Sequence, residues 1–572
     1  MEVENKKNNI KFNILAIIAI IIFCFALSPI TLQNDTYYTI KIGELILENG
    51  IDMQDHFSWH EDLPYTYPHW AYDTGIYLIY NLGEISGIPD GGMVFIYAST
   101  VILASILGIL IYYTCSKITK NNILAFFITF GAMYLLKPYI AARAQLVTFI
   151  LFVLTILFIE KFLESKKKRY LIGIVLVSII IANVHVAVWP FFFILFLPYI
   201  AEYIICLIRD LHIISNTKIF YNKEKIFELN KKLLKAENKE EIQLKIEKIK
   251  KKIEEQEAEL DEVKKITDKA NKNPYKIKIE RNNNIKYLIL IMIICAFTGL
   301  LTPLGDTPYT YLVKTMEGNT TQSISEHLPL TLYNDKNTMI ILAMLLSILI
   351  FTDTKIKLRD LFMITGLIFL SFMSRRQISL LVLIGCFIFG KLVNYLFNKY
   401  DPEGCKKLLK LMSTIVGRVI TLAIVILLAF SIYKPKMNDK FVNEKSYPVQ
   451  ASEWILENLD VENIKLYNEY NYGSYLLFKG IPVFIDSRAD LYAPEFNKTI
   501  DEEGNEKSRN IFTDYMNISS IGTYYEDKFE HYGITHAIVV KNAKLNMFLS
   551  RNDKYKELYK DDYFVIYERN VD

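Results

Sequence analysis

Residues 12–38 read FNILAIIAIIIFCFALSPITLQNDTYY. An unbroken apolar run gives way, after Pro29, to a polar stretch in which Asp35 is the first carboxylate. A membrane-crossing helix needs about 20 mostly apolar residues, and 12–30 supplies them. Pro29 directly after Ala26-Leu27-Ser28 disfavours cleavage there, so the run reads as a retained anchor rather than a removed leader.

Ten further segments of the same character follow: 93–114, 122–137, 144–160, 170–187, 190–208, 286–303, 338–352, 359–374, 377–397 and 412–433. A chain of 572 residues that is 52% hydrophobic and only 22% charged, with its apolar residues in such runs, excludes a soluble enzyme and a disordered chain. The fold expected is a polytopic α-helical membrane protein of about eleven spans.

Cations set the orientation. Lys117, Lys120, Lys166–Arg169, Lys355, Lys357, Arg359, Lys399, Lys406, Lys407 and Lys410 fall in alternate loops, which places the N-terminus in the cytoplasm. The loop 31–92 carries ten Asp or Glu against Lys41 alone and faces outward. Segment 434–572, with 18 Lys/Arg and 24 Asp/Glu, lies on that outer side. The net charge of +3 conceals this separation. None of the six cysteines falls in an outer segment, so those fold without disulfides.

The expected organisation has four parts. Residues 1–208 hold six spans and the outer loop, and 209–285 form a cytoplasmic helical insertion. Residues 286–433 hold five more spans, and 434–572 an outer α/β domain. In the insertion, Ile242, Ile246, Ile249, Ile253, Gln256, Leu260 and Val263 alternate by three and four, a heptad seam. Both ends must return to one membrane face, which predicts a helical hairpin broken near Asn238. Its seam offers a coiled-coil partner or self-association through 222–270. Basic and acidic residues interleave there without a binding motif, so nothing points to nucleic acid. In the outer domain, 451–459 and 524–532 read as helices, and 464–467, 483–485, 537–540 and 564–567 as strands. Tyr472-Gly473-Ser474-Tyr475 reads as punctuation.

After Asn34-Asp35-Thr36-Tyr37-Tyr38, the pattern Ile40, Leu45, Ile46, Leu47 predicts a short helix at the membrane surface, with Asp35 or Thr36 as N-cap and Gly50 ending it. Asp35 is then either a cap or a carboxylate held where a lipid headgroup meets an acceptor. Asp55, His56, His69 and Asp73 follow and supply candidate acids, bases or ligands without a diagnostic metal spacing. Tyr65, Tyr67, Trp70, Tyr72 and Tyr77 read as interfacial aromatics, some able to stack on a sugar. Lys137, Arg143, Arg375 and Arg376 break the positive-inside pattern in short outer turns. Either they pair with Asp35, Asp55 or Glu326, or they grip an anionic phosphate. Asn183, His185 and Glu326 are polar groups at the outer ends of spans. In the outer domain, Asp486, Arg488 and Asp490 read either as a local salt-bridged turn or as a sugar or ion site.

This order of features resembles the GT-C superfamily of membrane glycosyltransferases, and more closely a family of bacterial GT-C-like multi-pass membrane proteins. The matching stretches are Asn34–Gly43, Ile51–Trp59, Pro68-His69-Trp70, Ala142-Arg143-Ala144-Gln145 and Ala182-Asn183-Val184-His185. Leu301–Gly305, Arg375-Arg376-Gln377-Ile378, Asn471–Leu476 and Phe484–Leu491 extend the likeness over most of the chain outside 209–285. The resemblance implies transfer of a sugar from a polyprenyl-phosphate donor to a cell-envelope acceptor on the outer face of the cell membrane. It implies that Asp35 is the base or a metal ligand. Some GT-C enzymes use Mg or Mn and others none. Thr36 rather than a second acid follows Asp35, which leaves Asp55 as the second carboxylate. Lys137, Arg143, Arg375 and Arg376 would bind the donor phosphate, and His56, His69, Asp73, Asn183, His185 and Glu326 the substrates. Two other classes fit a membrane chain of this kind. One is a transporter or flippase of lipid-linked glycans, against which stands the absence of matched broken spans. The other is a non-catalytic envelope scaffold whose outer domain binds glycan or protein.

Overall fold

The computed structural model describes residues 2–209, 221–230, 239–272, 276–318, 324–331, 333, 335–500, 506–522 and 524–570. Every one of the eleven apolar segments is helical in its described residues. Among the described residues, seven helical segments are long and apolar enough to cross a membrane: Asn8–Leu27, Gly91–Thr119, Asn122–Tyr139, Ala144–Ser165, Val186–Ile208, Arg375–Tyr400 and Ile415–Lys436. The chain is a multi-pass membrane protein. Arg169–Val184, Lys336–Phe351 and Leu358–Met373 have 16 residues each and Ile285–Ala296 has 12. At 1.5 Å per residue a 16-residue helix rises about 24 Å, short of the ~30 Å hydrocarbon layer. Trp189-Pro190 opens the short helix Trp189–Ile194, and the sixth segment breaks after it, at Leu195-Phe196, before Leu197–Arg209.

Two hydrophobic cores separate the molecule. One is the helical bundle, including Phe12, Phe152, Phe196 and Phe387. The other combines loop residues 32–93 with segment 447–567, and Tyr37, Tyr67, Tyr467 and Tyr492 are among its fully buried side chains.

In the insertion, helix Lys239–Lys272 carries the predicted seam: Ile246 and Ile253 are buried, Ile242 and Ile249 half-buried, and their neighbours exposed. Residues 221–230 form a second helix against it, with Asn222 bonded to Gln256 and Lys223 paired with Glu257 at 3.1 Å. The two helices thus meet at Asn222, Lys223, Gln256 and Glu257. The predicted break near Asn238 and the side chains of Leu260 and Val263 lie outside the described residues. Near the end of the insertion, Ile277–Lys278 pairs in parallel with Ile356–Lys357.

The outer segment contains a four-stranded sheet ordered Leu466–Tyr467, His536–Val540, Phe564–Arg569, Tyr555–Lys560. The first pair is parallel and the other two antiparallel. Helices Val449–Asn458 and Tyr525–Tyr532 match the expectation. Two predictions fail. Residues 470–478 form a helix rather than a turn, and Val483–Ile485 is not a sheet strand. That run is fully buried, but its backbone is satisfied elsewhere. Val483 exchanges two backbone bonds with Phe57 and Trp59, Asn468 bonds Phe484 N and Ile485 O, and the His60 ring meets Phe484 O at 2.9 Å. Gly473 crosses so close that a Cβ there would lie 2.0 Å from Ile485 O.

The outer domain is tied to the first loop by a buried ion cluster. Arg488 donates to Asp55 Oδ1 at 2.6 Å, and its Nε and Nη2 form a fork on Asp486 at 2.9 and 2.6 Å. Tyr492 adds a bond to Asp486 at 2.7 Å. Removing one partner of such a cluster leaves an uncompensated charge and costs about 3–5 kcal/mol. Arg488→Ala should therefore lower thermal stability by that order and expose 434–572 to limited proteolysis. Lys556→Ala, whose 3.9 Å pair with Glu568 is exposed, should behave as wild type in both assays.

Candidate functional site

Helix Asn34–Asn49 begins at Gln33, which takes the N-cap backbone conformation without a side-chain bond. Asp35 and Thr36 are thus not caps, contrary to the sequence reading. Asp35 lies in the first turn, where a carboxylate is favoured by the helix dipole, and its side chain points elsewhere. The helix is also not an open surface element. It packs between helix Trp70–Ile85, where a Cβ on Gly43 would meet Asp73 O at 2.1 Å, and helix Tyr470–Phe478.

The Asp35 carboxylate meets Arg143 Nη2 at 2.9 Å, with both side chains about a quarter exposed. Arg143 stands at the N-terminus of helix Ala144–Ser165. Thr36 Oγ1 donates to Ala142 O at 3.3 Å and fixes the two segments together. Arg143 Nη1 also approaches Glu326 Oε1 at 3.7 Å, and these two acids hold the Arg143 proton against burial. Glu326 is placed by the backbone: Arg376 N–H donates to Glu326 O and Arg375 N–H to Leu328 O, each at 3.0 Å. This stitches the outer loop onto the 3₁₀ turn Arg375–Gln377.

These groups border a cavity of about 1170 Å³. Its inner end is apolar and belongs to the bundle, lined by Phe149, Phe152, Phe191, Leu370 and Leu380. Asp35, Arg143, His69, His185, Glu326 and Arg376 supply polar and charged groups to its lining. The outer domain closes the far side with Tyr470, Ser487, Asp490 and Phe512. A smaller chamber of about 250 Å³ adjoins it and adds Arg375.

Five predicted site residues lie elsewhere. Asp55 is enclosed: Arg488, the Ser58 hydroxyl and the Ser58 N–H take its carboxylate, and its side chain has no exposure. It cannot join Asp35 around a metal ion. His56 pairs with Asp52 at 2.5 Å on the surface. The Asp73 carboxyl is buried inside the loop core without a hydrogen bond, and burial pushes its pKa well up. Asn183 accepts from Trp70 and donates to Ile179 O and Leu301 O, a brace between elements. Lys137 is exposed and borders neither chamber. No group of three or more His, Cys, Asp or Glu among the described residues is arranged to hold a metal ion. A divalent cation arriving at Asp35 would have to displace Arg143.

His69 and His185 stack edge to face at 4.7 Å, and the His185 ring bonds Thr148 Oγ1 at 3.0 Å. Burial, reinforced by the Arg376 cation, pulls His69 down to about 4. Residues the sequence reading left out of the site also line it. Tyr311 donates a hydrogen bond to Asp490, and Gln377 adjoins Arg376. The 486–490 turn is more than a local salt bridge, since Arg488 reaches the first loop and Asp490 reaches the cavity. The helical spacing of Phe512, Tyr515, Met516 and Ser519 was the legible signal for a further wall.

No family model matches the chain, and no curated protein sequence matches it. Solved structures do match. An archaeal oligosaccharyltransferase, AglB from Archaeoglobus fulgidus in complex with an inhibitory peptide and a dolichol-phosphate, superposes with a TM-score of 0.51 at 11% identity, over 97% of this chain and 74% of that one. An Archaeoglobus fulgidus oligosaccharyltransferase in the apo form gives 0.50 at 11% identity, over 94% and 70%. The chain shares the fold of an oligosaccharyltransferase.

The histidines make a pH prediction. Burial pulls His60 and His327, like His69, down to about 4. An unfolded chain protonates histidine near 6.5. Between those values the unfolded state binds more protons, so stability should fall as pH drops from about 6.5 to 4. Thermal unfolding at half-unit pH steps should show this, with a shallower slope in His60→Gln. An unchanged slope in that variant contradicts the assignment.

Proposed function

We propose that this chain is a membrane glycosyltransferase that moves a sugar from a polyprenyl-phosphate-linked donor to a cell-envelope acceptor on the outer face of the cell membrane. One observation carries the reading. The Asp35–Arg143 pair borders a cavity whose lining combines apolar bundle side chains such as Phe149, Phe152 and Leu380 with residues of segment 434–572. An isoprenoid tail suits the apolar side chains, and the cations Arg143 and Arg376 suit its phosphate. The fold shared with an oligosaccharyltransferase supports the same reading.

In the proposed reaction the acceptor hydroxyl attacks the anomeric carbon and loses its proton to Asp35. The bond from that carbon to the phosphate oxygen breaks, and the oxygen keeps the electron pair. Arg143 and Arg376 meet the charge that develops on the leaving phosphate. A single displacement inverts the anomeric centre. Donor entry breaks the Asp35–Arg143 pair, freeing the carboxylate as the phosphate takes the guanidinium. His69, neutral and beside the cations, donates or accepts a hydrogen bond without adding charge.

The proposed topology places the N-terminus and the insertion 209–285 in the cytoplasm. It counts all eleven helical segments, 1–208 and 286–433, as the membrane unit, and puts 434–572 outside.

Two experiments test this. The purified protein should transfer sugar from a synthetic polyprenyl-phosphate donor. Asp35→Asn should slow turnover by about 10²-fold or more while still binding donor, and Arg143→Ala or Arg376→Ala should weaken donor binding. A wild type inert towards every polyprenyl-phosphate and polyprenyl-diphosphate donor, or an Asp35→Asn variant as active as wild type, overturns the proposal. For topology, in a Cys405→Ser background a membrane-impermeant maleimide should label Lys556→Cys in intact cells, and Lys250→Cys only after permeabilisation. The reverse pattern inverts the orientation.

A further inference from the structure

The helix Ile511–Ser520 has two occupied faces. Ile511 and Ile518, fully buried, pack into the outer-domain core. Phe512, Tyr515, Met516 and Ser519, spaced i, i+3, i+4, i+7, all border the cavity. The helix is held firmly in place. The Asn510 side chain caps it at Thr513 N (3.1 Å), and Asn497 pairs with the Arg509 backbone through bonds of 2.6 and 2.9 Å.

Tyr470 faces this wall, its ring 5.9 Å from Phe512 at 88° and 6.3 Å from Tyr515 at 32°. Its hydroxyl donates to Ser487 O at 3.2 Å, and its carbonyl accepts from the side chain of Asn34, next to Asp35. Tyr470 and the helix, in ring contact, therefore line one lobe of the cavity side by side, and that lobe begins where the Asp35 site ends. Asn471 lies exposed on its border.

We infer that this lobe is a saccharide subsite, which takes a sugar unit adjoining the one that reacts at Asp35. The inference rests on the transferase reading for the identity of the reaction, but not for the binding itself. Tyr470, Asn471, Phe512, Tyr515, Met516 and Ser519 are all uncharged. They combine aromatic faces, whose negative quadrupole attracts the C–H face of a sugar ring, with an amide and a hydroxyl for its hydroxyl groups. A peptide would call for a strand edge or charged partners for its backbone and termini. The lobe is built from helices and a turn, and these six side chains offer no charge. The sugar can belong to a donor glycan of more than one unit or to a saccharide acceptor; the chemistry of recognition is the same.

The test uses the full chain in lipid nanodiscs. Neutral trisaccharides of gluco, galacto and manno configuration, their monosaccharides and an uncharged hexapeptide are titrated by calorimetry, with saturation-transfer NMR for contact. At least one trisaccharide should bind tenfold or more tightly than its monosaccharide. Ser519→Trp, which fills the lobe without removing a core ring, should weaken it at least tenfold. Met516→Trp fills the same space from the neighbouring position and serves if the first variant unfolds at lower temperature. Lys556→Ala, an exposed position away from the cavity, should leave trisaccharide binding unchanged. No trisaccharide preference, equal binding by a folded tryptophan variant, or binding of the hexapeptide alone overturns the inference.

Transfer assays then separate the sources. A higher KM in Ser519→Trp for a trisaccharide donor, but not for a monosaccharide donor, assigns the lobe to the donor. A higher KM for a trisaccharide acceptor assigns it to the acceptor. If no donor is turned over while trisaccharide binding and its loss in Ser519→Trp persist, the transferase reading fails and the saccharide subsite stands.

Discussion

Three ionised groups almost sealed from water, Asp55, Asp486 and Arg488, join parts of the chain more than 400 residues apart. Such charges are tolerated in a low-dielectric interior only when every one is matched. Arg488 uses its fork on Asp486 and its remaining nitrogen on Asp55, while its guanidinium lies over the Phe57 and Tyr65 rings at 5.5 and 5.0 Å. This cluster sets the outer domain on the first loop. Without that placement the Asp35–Arg143 pair would stand open to water, and the lobe lined by Tyr470 and Tyr515 would not exist.

The cavity illustrates a division of labour across the membrane boundary. The bundle supplies an apolar recess and, at its rim, cations from two short turns. The outer domain contributes neutral aromatic and amide groups. Arg143 pairs with Asp35 while both stay about a quarter exposed, in contrast to the sealed Arg488 cluster. The first pair can be exchanged for a ligand; the second is structural. The same residue types thus take different roles because of their access to water.

Much of the architecture was legible beforehand because it depends on local patterns. Apolar runs became helices, and the three-four spacing of Ile242 to Ile253 became a helix with Ile246 and Ile253 buried. Cations out of place in the charge pattern led to Arg143, Arg376 and Glu326. What misled was the outer domain. Val483–Ile485 has the composition of a strand, but side chains of Asn468 and His60 satisfy its backbone. Tyr472-Gly473 looked like a turn, and the glycine instead permits a helix to cross that buried run. Neither fact can be read from neighbours in sequence, since each depends on what packs from far away. Asp55 was misassigned for the same reason. Its partner, Arg488, is 433 residues distant.

The sequence by itself determined which segments form apolar helices and which cations stand outside the charge pattern. Those outcomes follow from hydropathy and hydrogen bonding between near neighbours. Only the tertiary structure decided which acid meets which arginine, and therefore that Asp35 is reachable and Asp55 is not. Ion pairing falls off over a few ångströms, and distances of that size between remote residues exist only once the chain has folded.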